Sequence, residues 1–167
     1  MNQTVSNRPL LVSACLTGLP ARYDGLAKTN TQLLRLLEGR AWLPVCPEQL
    51  GGLATPRPAC TIVGRTAEAD GRAVLAGRAR VVDLTGQDRT GEFLRGAEAV
   101  LDLARRTGAG TALLKSLSPS CGPVKRTGSD GRLRPMGVTA ALLQEAGLQV
   151  LEVDQEGVSQ EVRRLLS

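Results

Sequence analysis

The sequence predicts an α/β protein: a single Rossmann-like domain over residues 1–167, with three layers and a mainly parallel sheet. Short apolar runs typical of buried strands alternate along the chain with longer stretches of helical periodicity. The length of 167 residues also suits one domain, large enough to bury a core without disulfide bonds. Because parallel strands have their carboxyl ends at one edge of a sheet, we expect the functional site at that edge.

The first half of the chain contains two predicted strands and one helix. Residues 10–14 are typical of a short buried strand, and residues 30–39 of a helix with an asparagine N-cap and a glycine stop. A second strand is predicted over 42–45, although Pro44 removes one backbone donor there. Residues 51–78 are rich in glycine, proline, alanine and arginine, which predicts a long loop, with at most a small hairpin in it.

The second half of the chain continues the alternation. Its predicted strands are residues 80–84, 111–114 and 150–153. Its predicted helices are residues 90–106, 138–146 and 158–166. A loop rich in glycine, proline and serine over 117–135 precedes the second of these helices. Strands that alternate with helices in this way favour a parallel sheet covered by helices on both faces.

The inventory of side chains excludes several kinds of chemistry. Histidine is absent, and Tyr23, Trp42 and Phe93 are the only aromatic residues. Without histidine the chain has no Ser-His-Asp triad, no Cys-His dyad and no imidazole-rich zinc or haem site. Three aromatic residues are too few for a stacking platform that binds single-stranded nucleic acid. Chemistry must come from thiols, carboxylates, hydroxyls, cationic side chains, backbone groups or an inorganic centre.

Charge and hydropathy indicate a cytoplasmic protein. The 21 basic and 16 acidic residues give a net charge of +5, and the basic residues form no block, which favours a role in solubility over nucleic-acid binding. No apolar run approaches the ~20 residues that span a bilayer. Residues 1–8 are polar, which predicts no signal peptide. In the reducing cytosol, the four cysteines are more typical of a metal site or catalysis than of disulfides.

Three of the cysteines follow predicted strands closely. Cys15, Cys46 and Cys121 lie next to turn residues and outside the predicted helices and strands. They are therefore expected to converge at the carboxyl edge of the sheet, whereas Cys60 lies in the long loop and breaks the pattern. Each thiol alone is also compatible with a small buried hydrophobic side chain.

Convergent thiolates favour some metal centres over others. Structural zinc sites usually have four ligands, often in C-x-x-C pairs, and this sequence contains no such pair. An iron–sulfur cluster can take its cysteines from distant segments. A [4Fe–4S] cluster held by only three thiolates has one iron without a protein ligand, and that iron can act as a Lewis acid on a substrate.

Three motifs occur in order around the three strand-end cysteines. They are residues 12–18 (VSACLTG) with 22–25 (RYDG), residues 44–53 (PVCPEQLGGL) with 55–58 (TPRP), and residues 114–122 (LKSLSPSCG). Together they resemble the signatures of the thiouracil desulfidase (TudS-like) family, formerly a domain of unknown function. The resemblance runs from about residue 10 to residue 153.

The resemblance implies an α/β fold with a [4Fe–4S] cluster that removes sulfur from 2-thiouracil or a related thio-base or nucleoside. It assigns Cys15, Cys46 and Cys121 as the cluster ligands and places Glu48 and Ser118 beside the cluster. The substrate sulfur is expected to bind the iron that lacks a protein ligand and to leave as sulfide. Glu48 is the candidate general acid and base, and Ser118 is expected to bind substrate, relay a proton or stabilise its turn.

Four further residues of these motifs have expected supporting roles. Ser120 and the backbone N–H of Gly122 are expected to donate hydrogen bonds to the sulfurs of the cluster. Lys115 is expected to neutralise the cluster, to contact substrate or to remain a solvated charge. Asp24 is expected to cap a turn or to pair with Arg22.

The chain also departs from the pattern of this family. Ala21 stands where many relatives have a second cysteine, and residues 127–131 replace a Tyr-Asp-Gly-like segment. The sequence has only one helix after its last strand, which favours a small-molecule thio-base over tRNA, and we expect no stable nucleic-acid binding. Two alternatives stay open: a desulfurase of thiolated tRNA, and a non-catalytic metal- or persulfide-binding module. The sequence does not indicate an oligomeric state.

Overall fold

A four-stranded parallel sheet with the strand order β2-β1-β5-β8 lies at the centre of the protein. Its strands are β1 (Leu10–Ser13), β2 (Trp42–Val45), β5 (Thr111–Lys115) and β8 (Gln149–Val153). The computed structural model describes residues 8–66 and 69–167. The prediction that the chain has no signal peptide rests mainly on residues 1–7. These residues lie outside the described part of the chain. The predicted parallel α/β architecture is confirmed.

Helices cover both faces of this sheet. On one face lie α1 (Thr31–Leu37) and α6 (Gln160–Leu166), whose leucines and valines pack with Val12 of β1. On the other face lie α4 (Thr90–Thr107) and α5 (Val138–Glu145), which pack with Leu11 of the same strand. Leu11 and Val12 are both fully buried, because successive side chains of a strand point to opposite faces and each face here is covered. The predicted three layers are therefore present.

The ends of the helices follow from local sequence signals. The Asn30 side chain accepts a hydrogen bond from the backbone N–H of Leu33 at 2.9 Å and caps α1. Gly108 ends α4 in the left-handed region with a φ of 72°, which glycine adopts without strain. Pro44 lies in β2, an edge strand of the sheet, where a missing backbone donor is tolerated.

The predicted long loop over 51–78 is wrong, because this stretch contains regular structure. It includes β3 (Cys60–Gly64) and α3 (Gly71–Leu75). β3 pairs antiparallel with β4 (Ala79–Asp83) in a separate two-stranded sheet, so the strand predicted at 80–84 does not join the central sheet. Cys60 is the first residue of β3. Three of the five residues of β3 are exposed and the other two are only partly buried, which explains why its hydrophobic signal is weak.

Two short segments complete the architecture around the carboxyl edge. The helix α2 (Pro47–Leu50) directly follows β2, and a hairpin of β6 (Arg126–Thr127) and β7 (Leu133–Arg134) lies within the predicted loop over 117–135. A 3₁₀ helix, Ala14–Thr17, directly follows β1. Among the described residues, no helix is long and apolar enough to cross a membrane.

Candidate metal centre

A cavity of about 610 Å³ opens at the carboxyl edge of the central sheet. Ser13, Val45 and Lys115, the last residues of β1, β2 and β5, line it. Its volume lies in the usual range for small-molecule sites. The candidate site residues that line it are Cys15, Cys46, Glu48, Lys115, Ser118, Ser120 and Cys121, and Cys60 lines it as well.

Each of the three strand-end cysteines is positioned by a different short element. Cys15 lies in the 3₁₀ helix after β1, so the prediction that it lies outside any helix is wrong. Cys46 occupies the N-cap position of α2, directly after β2. Cys121 lies in a turn between β5 and α5 and is buried. Because all three elements leave the same edge of the sheet, the three thiols face one cavity.

Burial and mutual proximity disfavour the ionised form of these thiols. Burial raises the pKa of Cys15 and of Cys46, and it raises the pKa of Cys121 to about 12. Cys46 further raises the pKa of Cys15, and both of these cysteines raise that of Cys121. A bound cationic centre removes this penalty by replacing the thiol protons, so metal binding is coupled to proton release.

The donor set fits an iron–sulfur cluster better than a single ion. Among the described residues, no group of three or more Cys, Asp and Glu side chains is arranged to hold one metal ion. One zinc ion would need every sulfur about 2.3 Å from the same point. A cluster contains several irons, so each thiolate binds a different one, and soft thiolate ligands are typical of such clusters. Three thiols around one cavity therefore fit a [4Fe–4S] cluster.

A chain of hydrogen bonds joins Glu48 to the turn that carries the third cysteine. The Ser120 hydroxyl donates to Glu48 Oε1 at 2.9 Å, and it lies 3.1 Å from the hydroxyl oxygen of Ser118. Ser118 Oγ in turn accepts from the backbone N–H of Cys121 at 3.1 Å. Ser118 thus stabilises its turn. It is also the last member of a hydrogen-bonded series of side chains that begins at the Glu48 carboxylate and passes through Ser120.

Lys115 places a positive charge among the thiols. Its Nζ donates to the backbone oxygen of Ser116 at 3.0 Å. Burial lowers the pKa of Lys115, and the neighbouring thiol of Cys15 opposes this shift. The ammonium group is therefore placed to offset the negative charge of thiolates in the cavity.

Two candidate residues lie outside the cavity lining. The Asp24 carboxylate accepts from Arg22 Nη2 at 2.8 Å and from the backbone N–H of Leu26 at 3.1 Å, so it pairs and caps a turn. Gly122 donates its N–H to the backbone oxygen of Ser118 at 2.9 Å, which corrects the expectation that this N–H donates to cluster sulfurs. A Cβ at Gly122 would lie 2.8 Å from that oxygen, so glycine is needed for the close turn.

Cys60 belongs to the cavity, although the sequence separates it from the other cysteines. Its Sγ lies 3.7 Å from the backbone oxygen of Pro58. Burial raises its pKa to about 11, and the negative charges of Glu48 and Asp83 add to this shift. Cys60 therefore contributes a fourth thiol to the lining of the cavity. The pairing of β3 with β4, which the sequence did not predict, brings it there.

Two further features of the site were missed by the sequence prediction. Arg57 lines the cavity, and its Nε donates to Glu48 Oε2 at 2.6 Å. The TPRP segment contained this arginine, but a loop arginine alone does not indicate a buried partner. The hairpin of β6 and β7 contributes another wall of the cavity. Its Arg126 pairs with Glu152 and Asp154, each at 2.9 Å, and so joins the hairpin to the end of β8.

Comparison with known proteins gives three consistent matches. A family model described as 2-thiouracil desulfurase matches residues 10–155. Uncharacterized protein YbbK of Bacillus subtilis (strain 168) is 37% identical over 149 residues, which span 87% of this chain and 96% of that protein. A solved structure of the [4Fe-4S]-dependent thiouracil desulfidase TudS (DUF523Vcz) is 41% identical with a TM-score of 0.68, and the match covers 87% of this chain and 90% of the other.

Proposed function

The chain belongs to the 2-thiouracil desulfurase family, and we propose from this premise that it is an iron–sulfur-dependent desulfidase that removes sulfur from thiouracil. The observation that carries the proposal is the convergence of Cys15, Cys46 and Cys121 on one cavity that Glu48 also lines. The reaction consumes one water and cleaves one C–S bond, so thiouracil and water give uracil and hydrogen sulfide.

Three side chains of the cavity are proposed as the protein ligands of the cofactor. We assign this role to the thiolates of Cys15, Cys46 and Cys121, because they follow three neighbouring strands and face the same space. When bound, a [4Fe–4S] cluster supplies a Lewis-acidic iron that polarises the thiocarbonyl group. Lys115 lies beside Cys15 and compensates part of the negative charge of the thiolates.

Glu48 is proposed to accept a proton from water and then to donate it to the departing sulfur. Water adds to the thiocarbonyl carbon and gives one proton to the Glu48 carboxylate, which later returns it to the departing sulfur. The proton that remains on the added oxygen is released as the C–S bond breaks and the carbonyl forms, and its uptake by hydrosulfide completes hydrogen sulfide. The hydroxyls of Ser120 and Ser118 extend from Glu48 Oε1 along the cavity wall. They are placed to relay that proton or to donate to the substrate.

Apolar side chains at the cavity are proposed to cover the planar base. Tyr23, Leu84 and Leu133 line the cavity and are 44%, 80% and 49% exposed. Large exposed apolar groups around a cavity are typical of ligand sites.

We also propose a small-molecule thio-base as the substrate. We propose the cytoplasm as the location, because the four free thiols are typical of a reducing compartment.

Sulfide release tests the proposed function and the role of Glu48 together. Anaerobically reconstituted protein is expected to convert 2-thiouracil to uracil and sulfide in equal amounts. Glu48→Gln preserves the size of the side chain but removes the base, so its rate should fall about 100-fold or more while its iron content is retained. Glu98→Gln, a change on the exposed side of α4, should have no effect. Loaded wild-type protein that releases no sulfide would contradict the function, whereas full activity of Glu48→Gln would remove only Glu48 from the mechanism.

A further inference from the structure

The Arg57 guanidinium is a buried cation with every donor in use. Its side chain is only 5% exposed, at the wall of the metal cavity. A guanidinium has five N–H donors. Five acceptors surround this one: Glu48 Oε2 at 2.6 Å, the backbone oxygens of Ala21 at 3.0 Å and Ala54 at 3.2 Å, Thr55 Oγ1 at 3.0 Å, and Cys46 Sγ at 3.9 Å. No donor of Arg57 is left for a substrate.

These contacts fix the orientation of the catalytic carboxylate. Arg57 donates to Glu48 Oε2, and the Ser120 hydroxyl donates to Glu48 Oε1 at 2.9 Å. The Glu48 carboxylate is thus held from two sides. Arg57 comes from the same sequence motif as Glu48, and Ser120 comes from the turn that carries Cys121. Both bonds are made to a charged carboxylate, and such bonds are stronger than neutral hydrogen bonds, so the two together restrict rotation of the carboxylate.

We propose that Arg57 is a positioning residue of the desulfidation reaction, which acts through Glu48 and makes no contact with substrate. The inference rests on the proposed function. Its planar group binds Glu48 through Nε and, through its two terminal nitrogens, the segments around Ala21 and Thr55. Lysine carries the same charge but has a single nitrogen with three donors, so it cannot hold these groups in one geometry.

A double-mutant cycle between Arg57 and Glu48 tests this proposal. Arg57→Lys should lower kcat about 10- to 100-fold and leave KM within about twofold, because a misplaced catalytic group slows the chemical step without weakening substrate binding. If Arg57 acts only through Glu48, the combined Arg57→Lys and Glu48→Gln variant will be no slower than Glu48→Gln alone. Iron content after reconstitution should equal that of the wild type. A wild-type kcat in Arg57→Lys, or losses that multiply in the double variant, would overturn the proposal.

A matched control separates positioning from loop stability. Arg89→Lys makes the same change in another arginine whose Nε donates to a carboxylate, that of Asp83 at 2.8 Å, and Arg89 lies outside the residues that line the cavity. It should lower the melting temperature of the protein without changing kcat. Arg57→Gln is the second variant in the same cycle, and loss of folding in both Arg57 variants would assign this residue a structural role and overturn the proposal. Wild-type protein without sulfide release would instead refute the proposed function.

Discussion

At the scale of single residues, Ser120 is the group that joins the Glu48 carboxylate to the turn that carries Cys121. Its hydroxyl is buried, donates to Glu48 Oε1 at 2.9 Å and lies 3.1 Å from Ser118 Oγ. Ser120→Ala removes one of the two donors that hold Glu48 and interrupts the polar path. A hydrogen bond to a charged group contributes about 1.5–3 kcal/mol, so kcat should fall about tenfold or more.

The rate of sulfide release from iron-loaded Ser120→Ala protein measures this effect. The iron content should stay at the wild-type level, because Ser120 is not among the proposed cluster ligands. An unchanged rate would exclude Ser120 from the relay and leave Arg57 as the group that determines the orientation of Glu48.

Single residues also show what the sequence can predict of the site. Cys15, Cys46 and Cys121 were predicted to converge because each follows a strand, and the structure brings them to one cavity. The sequence did not place Cys60 there, because the pairing of β3 with β4 depends on contacts between distant segments. Arg57 was missed for a similar reason, since only the folded chain shows which carboxylate and carbonyl groups surround a loop arginine.

At the scale of elements, the approach of α2 to α4 positions the turn that carries Cys46 and Glu48. A Cβ at Gly96 would lie 1.9 Å from the backbone oxygen of Pro47, so only glycine fits at this crossing. Gly96→Ala forces the two helices apart, and we expect it to reduce the free energy of unfolding by about 1–3 kcal/mol.

Denaturant unfolding of the metal-free protein tests this prediction, with Gly91→Ala as the matched control on the same helix. A Cβ at Gly91 would meet only the flexible end of Arg95 at 3.2 Å, and alanine favours helix over glycine. The control should therefore be neutral or slightly more stable than the wild type. Equal denaturant midpoints for Gly96→Ala and wild-type protein would contradict the prediction, because they would show that α2 and α4 accommodate the added methyl group without loss of free energy of unfolding.

The loop between β4 and α4 depends on the charge of Asp83. Hydrogen bonds from Thr85, Arg89 and the backbone N–H of Gln87 hold the pKa of this carboxyl well below its usual range. Because the pKa is lower in the folded state, the carboxylate contributes its full stability above the ordinary aspartate pKa of about 3.9. That contribution is lost as the pH falls toward the folded-state value.

Melting temperatures of wild-type and Asp83→Asn protein as a function of pH measure this contribution. The wild type should be more stable at neutral pH, and the difference should shrink progressively below about pH 4, where the unfolded state takes up a proton at Asp83 while the folded state keeps the carboxylate charged. A difference that stays constant between pH 7 and pH 3 would contradict the assignment of this stability to the carboxylate.

Element boundaries were predictable where a local signal exists. Asn30 at the start of α1 and Gly108 at the end of α4 act through their own backbone and near neighbours, and the sequence therefore indicates both. β3 and the hairpin of β6 and β7 lack such signals, because their residues are largely exposed and their stability comes from pairing with another segment.

At the scale of the whole molecule, the parallel sheet determines where the candidate metal centre lies. β1, β2 and β5 are neighbours in the sheet, and the three elements that carry the cysteines leave their carboxyl ends. The buried clusters on the two faces of the sheet hold these ends in fixed relative positions. A rigid scaffold that presents ligands from short loops is suited to a cofactor with several attachment points.

Iron content after anaerobic reconstitution tests most directly whether three thiolates hold the cofactor. Wild-type protein and Cys60→Ala are expected to bind about four irons per chain, as a [4Fe–4S] cluster requires. Cys15→Ala, Cys46→Ala and Cys121→Ala should each lose most of this iron together with the release of sulfide from 2-thiouracil. A full complement of iron in Cys46→Ala, or loss of iron in Cys60→Ala alone, would contradict the proposed set of ligands.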